Sequence, residues 1–247
     1  MKEEIFVVSD VHGCYDELLE LLKNWDTEKQ ELVLAGDLVD RGSQSKEVLL
    51  FAQQIMLEGK GTVLRGNHDQ MFLDFLTQTA HNVGDIFPIW FHQGGRETVK
   101  SIIGEDVYVE YRKDAIILRD RFDKYSYARD VLELTELYYE FGDVLVVHAG
   151  IPEYYGKNWK QATREEMIWY RDHWIHPNKT GKVLVSGHTP TSMIYDDPKN
   201  HQIWLNKAED IIMIDGACAY GGVLNGVVMN REGRILQTYS IPSKKRT

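Results

Sequence analysis

Six times along the chain a run of β-prone apolar residues stops at a polar residue of the metal-ligating or phosphate-binding type. Ile5–Val8 leads to Asp10 and His12, Leu32–Ala35 to Asp37, Asp40 and Arg41, and Thr62–Leu64 to Asn67, His68 and Asp69. In the second half Val144–Val147 leads to His148, Val183–Ser186 to His188, and Ile211–Ile214 to Asp215. Each run has the length and residue types of a buried strand. A glycine beside most of the polar residues lets the chain turn where the strand stops. Ligands of open α/β sheets bind beyond the carboxyl ends of the strands. The repetition therefore predicts one site that gathers its residues from most of the chain.

Between the first three runs the period changes from two to about 3.6. The spacing predicts helices over 15–25, 45–56 and 70–77, giving a βαβαβα order with parallel strands and right-handed crossovers. Residues 80–143 carry none of the strand-to-ligand transitions. They read as a mostly helical, cap-like insertion, with helices over 97–103 and 128–138. Thr163-Arg164-Glu165-Glu166 is a capping box that opens a short helix ending near Arg171. Residues 222–229 and 234–239 read as a terminal hairpin. The fold class is α/β, and residues 1–247 read as a single domain, because the ligand-type residues span positions 10 to 215.

Composition narrows the partners. The 247 residues carry a formal net charge of −10 and show no basic stripe, so nucleic acid is not expected as a partner. No apolar run approaches the roughly 20 residues of a membrane span, and no partner membrane is expected. Nothing resembles a secretory signal. The two cysteines, Cys14 and Cys218, stand outside any CxxC pair and read as reduced, buried thiols. The expected location is the cytoplasm.

Mixed carboxylate, amide and imidazole donors without thiolate suit Mn²⁺, Fe or Zn²⁺, and do not resemble an all-oxygen calcium loop. Their number exceeds the needs of one tetrahedral ion, which points to two divalent metal ions. Such a pair can bind the attacking water and polarise a phosphate ester together. Arg41 and Arg171 have the planar fork that matches phosphate. Departure of an alkoxide needs a proton donor; His68, with Asp40 to hold its ring, is the candidate.

Taken together, Asp10-Val11-His12-Gly13, Gly36-Asp37, Asp40-Arg41-Gly42, Gly66-Asn67-His68-Asp69, His148-Ala149-Gly150 and Gly187-His188 resemble the phosphoprotein phosphatase branch of calcineurin-like metallophosphoesterases. The small bacterial and phage serine/threonine phosphatases are the most similar group. The resemblance implies two packed, mixed β-sheets flanked by helices. It implies one ion on Asp10, His12 and Asp37 and a second on Asp37, Asn67, His148 and His188, Mn²⁺ being preferred. It makes His68 and Asp40 the acid pair, and Arg41, Arg171 and Asn67 the phosphate-binding residues. The implied activity is hydrolysis of phosphomonoesters, including phosphoserine and phosphothreonine in proteins, by direct attack of a dimetal-bound hydroxide. Partners would be a phosphorylated protein or a small phosphoester. The alternative is a symmetrical bis(5'-nucleosyl)-tetraphosphatase, whose second motif resembles this one but lacks Asp40. Ala217-Cys218-Ala219-Tyr220-Gly221-Gly222 resembles that group.

Overall fold

The computed structural model describes residues 2–77 and 87–244. All six apolar runs form strands. Three lie in a first sheet: β1 (Glu4–Val8), β2 (Gln30–Leu34) and β3 (Gly61–Val63). β1 pairs with β2 and β2 with β3, both in parallel, as the βαβαβα pattern requires. The second sheet begins with β4 (Tyr138–Phe141) and contains β5 (Val144–Val147), β6 (Val183–Ser186), β7 (Trp204–Leu205) and β8 (Ile211–Met213). The terminal hairpin, β9 (Val223–Asn230) and β10 (Ile235–Pro242), returns to the first sheet. The orders are β10-β9-β1-β2-β3 and β4-β5-β6-β8-β7. Both sheets mix parallel and antiparallel pairs.

The strands read as unbroken apolar runs because both of their faces are covered. Ile5, Val7 and Val33 of the first sheet meet Val144, Val146, Val185 and Ile212 of the second in a core between the sheets. The alternate residues Phe6, Val8, Leu32 and Leu34 point the other way, into helices. These helices are α1 (Tyr15–Leu21), α2 (Ser45–Leu57) and α3 (Asn67–Thr77). On the far side of the second sheet, Leu145, Val147 and Leu184 pack on Trp159 and Met167.

The insertion adds α4 (Arg96–Ile103), α5 (Glu105–Tyr111), α6 (Ala115–Arg121) and α7 (Ser126–Glu133) to the core outside the first sheet. Residues 80–86 of the expected insertion lie outside the described residues. Its expected C-terminal part is corrected. The helix expected over 128–138 stops at Glu133, and Tyr138–Phe141 is strand β4, antiparallel to β5. Two-residue alternation won over helical spacing here: Phe141 faces the core between the sheets and Tyr138 the far side. The short helix α8 (Arg164–Trp169) opens with the capping box, Thr163 and Glu166 exchanging both bonds. A last single turn, α9, spans Thr191–Ile194. Among the described residues no helix is long and apolar enough to cross a membrane.

Candidate active site

The polar residues that follow the strands converge, but not on regular strand geometry. β1 ends at Val8, and Asp10 and His12 sit in the loop beyond it with φ of 53° and 44°. The expectation that they share a strand face is therefore corrected. Their backbones are held by the neighbouring loop instead: Asp10 N–H donates to Gly36 O (3.2 Å) and His12 N–H to Asp37 O (2.8 Å). Asn67 is the first residue of α3, three residues earlier than the sequence pattern indicates, so the positive end of that helix faces the site. Two glycines are explained by close approach. A Cβ on Gly66 would stand 2.1 Å from Asp37 Oδ1, and one on Gly187 would stand 1.9 Å from Asp10 Oδ2.

Asp37 lies at the centre. Its Oδ2 is 3.3 Å from His12 Nε2 and its Oδ1 is 3.4 Å from His148 Nε2. Burial acts to raise this carboxyl, but His148, His68 and His12 around it hold it well below the usual carboxylate range. Two donor groups share it: His12, Asp37 and His68, and Asp37, His148 and His188, each with ligand atoms within 4.8 Å of one another. Asp10 is buried beside them. Its carboxylate accepts the His188 backbone N–H (3.0 Å) and the Ser9 hydroxyl. Burial, the dominant effect, and the nearby Asp37 carboxylate push it up to about 6.

The ring tautomers follow from carbonyl partners, which can only accept. His12 Nδ1–H donates to Val39 O (2.7 Å) and His148 Nδ1–H to Ala35 O (2.9 Å). Their Nε2 lone pairs therefore point inward. This pattern, with one ring nitrogen donating to the protein and the other aimed at the site, is that of metal-ligating histidine. His148 Nε2 faces Asn67 Oδ1 at 3.2 Å as well as the Asp37 oxygen; burial acts to lower this ring, but the Asp37 and Asp10 carboxylates raise it above its ordinary value, so a positive charge, a proton or a bound cation, belongs between these atoms. His188 Nε2 is buried without a hydrogen-bond partner among the described residues. Burial, His148 and Arg171 lower His188 to about 2, which keeps its ring neutral. Convergent lone pairs in a buried site call for cations, and the donor chemistry fits a pair of divalent ions.

The expected acid pair is also assembled. His68 Nδ1–H donates to Asp40 Oδ2 (2.7 Å), and the carboxylate is fully buried. Asp40 is held from the insertion, a contribution the sequence pattern did not reveal. Trp90 Nε1–H donates to both of its oxygens at 3.1 Å and Thr98 Oγ1–H to Oδ1 at 2.7 Å. Burial pushes Asp40 up to about 7, with the Thr98 hydroxyl pulling it back. Burial and the Arg41 and Arg171 charges bring His68 down to about 4, against the pull of Asp37. Arg41 reaches both His12 Nε2 and His68 Nε2, the latter at 2.7 Å. Arg171, just after α8, donates to His188 O (2.9 Å).

The remaining acids support the backbone. Asp69 accepts N–H groups from Asp37 (2.8 Å), Leu38 (2.9 Å) and Gly66 (2.9 Å), which fixes the loop that carries Asp37. Asp215 accepts from Ala217 N–H (2.8 Å) and shapes the turn that presents Tyr220. Tyr220 covers the Arg41 guanidinium at 5.0 Å. Sequence spacing gave no sign of Trp90, Thr98 or Ser9; the only signal for Tyr220 was the 217–222 motif.

Two facing sheets that bring buried imidazoles, carboxylates and two arginines to one end define a metal-dependent hydrolase of phosphoesters. The sequence model of the calcineurin-like phosphoesterases matches residues 4–220, and the chain belongs to that family. It is 24% identical, over 96% of its length and 93% of the relative's, to the asymmetrical bis(5'-nucleosyl)-tetraphosphatase PrpE of Anoxybacillus flavithermus. It is 25% identical, over 81% of its length and 84% of the relative's, to serine/threonine-protein phosphatase 1 of Salmonella typhimurium. Its fold is that of a Saccharomyces cerevisiae protein serine/threonine phosphatase with similarity to human phosphatase PP5. The TM-score is 0.62 at 16% identity, covering 100% of this chain and 82% of that one.

Proposed function

We propose that the protein hydrolyses phosphomonoesters of alcohols, including phosphoserine and phosphothreonine. The observation that carries this reading is the buried His68–Asp40 pair. An alkoxide is a poor leaving group and needs a proton as it departs, whereas a phosphate leaving group does not. An acid pair held from three sides by Asp40's partners is an expensive device that only the first kind of substrate requires.

Asp10, His12, Asp37, Asn67, His148 and His188 would hold two divalent cations, with Asp37 shared between them. Bound there, such ions supply Lewis acidity and a water of lowered pKa. The chain does the rest. Arg41 and Arg171 grip phosphoryl oxygens, with the Asn67 amide as a further contact. A dianionic phosphate offsets their charge and removes their part in depressing His68, of which burial is the larger part. The ring then takes a proton on Nε2 while Nδ1–H stays on Asp40, and Nε2–H donates to the departing oxygen.

A second reading is hydrolysis of a dinucleoside tetraphosphate. It is favoured by a cleft of about 320 Å³ beside Arg41, lined by Phe91, Arg96 and Tyr220, which suits an aromatic, anionic group. The activity named for the Anoxybacillus relative favours it too. A kcat/KM panel over a phosphoserine peptide, an alkyl phosphate and diadenosine tetraphosphate separates the readings. Preference for the dinucleotide, with His68→Asn leaving that activity intact, would overturn the first.

A further inference from the structure

Tyr220 is an exposed aromatic at a place where exposure has a reason. It ends the short 3₁₀ turn Cys218–Tyr220, flanked by Ala217 (φ 56°) and Gly221 (φ 91°), both left-handed. The turn closes on itself through Tyr220 N–H and Gly222 N–H donating to Ala217 O, at 2.9 and 3.1 Å. Asp215 anchors its start through Ala217 N–H. This rigid loop holds the Tyr220 side chain 62% exposed, yet with its ring over the Arg41 guanidinium at 5.0 Å.

The other side of Arg41 is equally confined. Arg41 has φ 69° and its N–H donates to Gly94 O at 3.2 Å. A Cβ on Gly94 would stand 2.8 Å from Arg41 Cγ, so only glycine lets the insertion approach this closely. Arg41 Nε is buried without a hydrogen-bond partner among the described residues. Among the described residues no carboxylate pairs with the guanidinium, so its orientation rests on two histidine nitrogens and on the ring above. A ring face attracts a guanidinium without consuming its N–H donors. It therefore orients the fork and leaves it able to bind an anion, which a carboxylate partner would not.

We propose that Tyr220 is a positioning residue for phosphate, acting through Arg41 by stacking on its guanidinium. The proposal rests on the reading of Arg41 as a phosphate-binding residue. It gives the 217–222 motif and buried Asp215 a shared purpose: Asp215 sets the turn, the turn sets Tyr220, and Tyr220 sets Arg41.

The test uses the full chain loaded with Mn²⁺, and the variants Tyr220→Leu, Tyr220→Phe, Arg41→Ala and the double variant Tyr220→Leu/Arg41→Ala. The readouts are KM and kcat on p-nitrophenyl phosphate, the inhibition constant of inorganic phosphate, and the melting shift that phosphate produces. Tyr220→Leu should raise KM and the inhibition constant about two- to fivefold, as loss of one exposed cation–π contact implies, with a smaller change in kcat. Tyr220→Phe, which keeps the ring, should stay near wild type. In the Arg41→Ala background the Leu substitution should change nothing. Equal losses in Phe and Leu, or an effect that persists without Arg41, would overturn the proposal. So would an unchanged phosphate affinity in Tyr220→Leu while Arg41→Ala weakens it. If Arg41→Ala itself leaves phosphate binding intact, the assignment of Arg41 falls and the proposal falls with it.

Discussion

Replacing Asp40 by Asn changes one atom in a fully buried side chain, and the consequences can be followed atom by atom. The amide oxygen can take the Oδ1 position, where it still accepts from Thr98 Oγ1 and Trp90 Nε1. Trp90 Nε1–H loses its second acceptor, 3.1 Å away at the Oδ2 position, and that loss is the cost to stability. The amide nitrogen must take the Oδ2 position, 2.7 Å from His68 Nδ1. An NH₂ group donates, so Nδ1 has to give up its hydrogen and accept. The ring hydrogen moves to Nε2, where the Arg41 guanidinium stands at 2.7 Å, and two donors oppose each other. Arg41 has to withdraw, and the imidazolium loses the carboxylate that stabilises it.

Loss of general acid catalysis lowers kcat by about 10²–10⁴, or roughly 3–5 kcal/mol in the barrier. Withdrawal of Arg41 raises KM as well. The kcat loss should be larger on a phosphoserine peptide than on p-nitrophenyl phosphate, because the nitrophenolate leaves without help. The pH profile supplies a second check. Burial pushes Asp40 up to about 7, and the form that holds His68 is the carboxylate. In the wild type kcat should therefore fall as the pH drops below about 7, and Asp40→Asn should lack that limb. Melting temperature, metal content and kcat on both substrates are the measurements. Unchanged kcat on the phosphopeptide, or a loss explained by missing metal, would refute the assignment of the pair.

Asp69→Ala should destabilise the fold by roughly 3–6 kcal/mol, because three buried N–H donors, on Gly66, Asp37 and Leu38, lose their acceptor; urea unfolding reads this directly. Chelation should abolish turnover and lower the melting temperature, since the buried His188 Nε2 is left without a partner among the described residues and the Asp10 and Asp37 carboxylates lose their neutralising charge, and added Mn²⁺ should restore both. His173 is buried and burial lowers it to about 4, so the unfolded chain binds its proton first. Its contribution is present above pH about 6.5 and is lost as the pH falls toward about 4, on the order of 3 kcal/mol in all. Urea unfolding of wild type against His173→Gln across that window should show the variant losing less stability on acidification.

The strands and the site were legible for the same reason. Ile5–Val8 and Val144–Val147 are covered on both faces, so every position is apolar, and the first polar residue marks both the strand's end and the site's edge. The β4 strand was hidden because Tyr138, Tyr139 and Glu140 alternate around a partly exposed face and begin only a few residues after a helix that ends at Glu133. The grip of Trp90 and Thr98 on Asp40 was hidden because it joins residues 50 and 58 positions apart through a segment with no strand pattern. The backbone of the loops could not be read either. Asp10, His12, Asp37, Asp40, Arg41 and His188 all have positive φ, which no residue type except glycine announces.

Those six conformations cost energy, and the loops recover it from one another. The loop after β1 bonds to the loop after β2 through His12 N–H to Asp37 O and Gly42 N–H to His12 O. The loop after β2 is tied to the start of α3 through Asp69, and His68 N–H returns a bond to Asp37 Oδ1 at 3.0 Å. The loop after β6 closes the ring on the loop after β1, with His188 N–H on the Asp10 carboxylate, while Gly187 N–H reaches His148 O at 2.8 Å. Asp10, His12, Asp37 and His188 are thus held by a loop from a different strand, and Asp40 and Arg41 by Thr98 and Gly94 of the insertion. The site is preorganised by the chain itself, so its residues belong to one cooperative unit. Substitutions at Asp10, Asp37 and Asp69 share partners, and their effects should couple rather than add. Carboxylates that look redundant as ligands are then explained as the acceptors that keep the ligand loops in register.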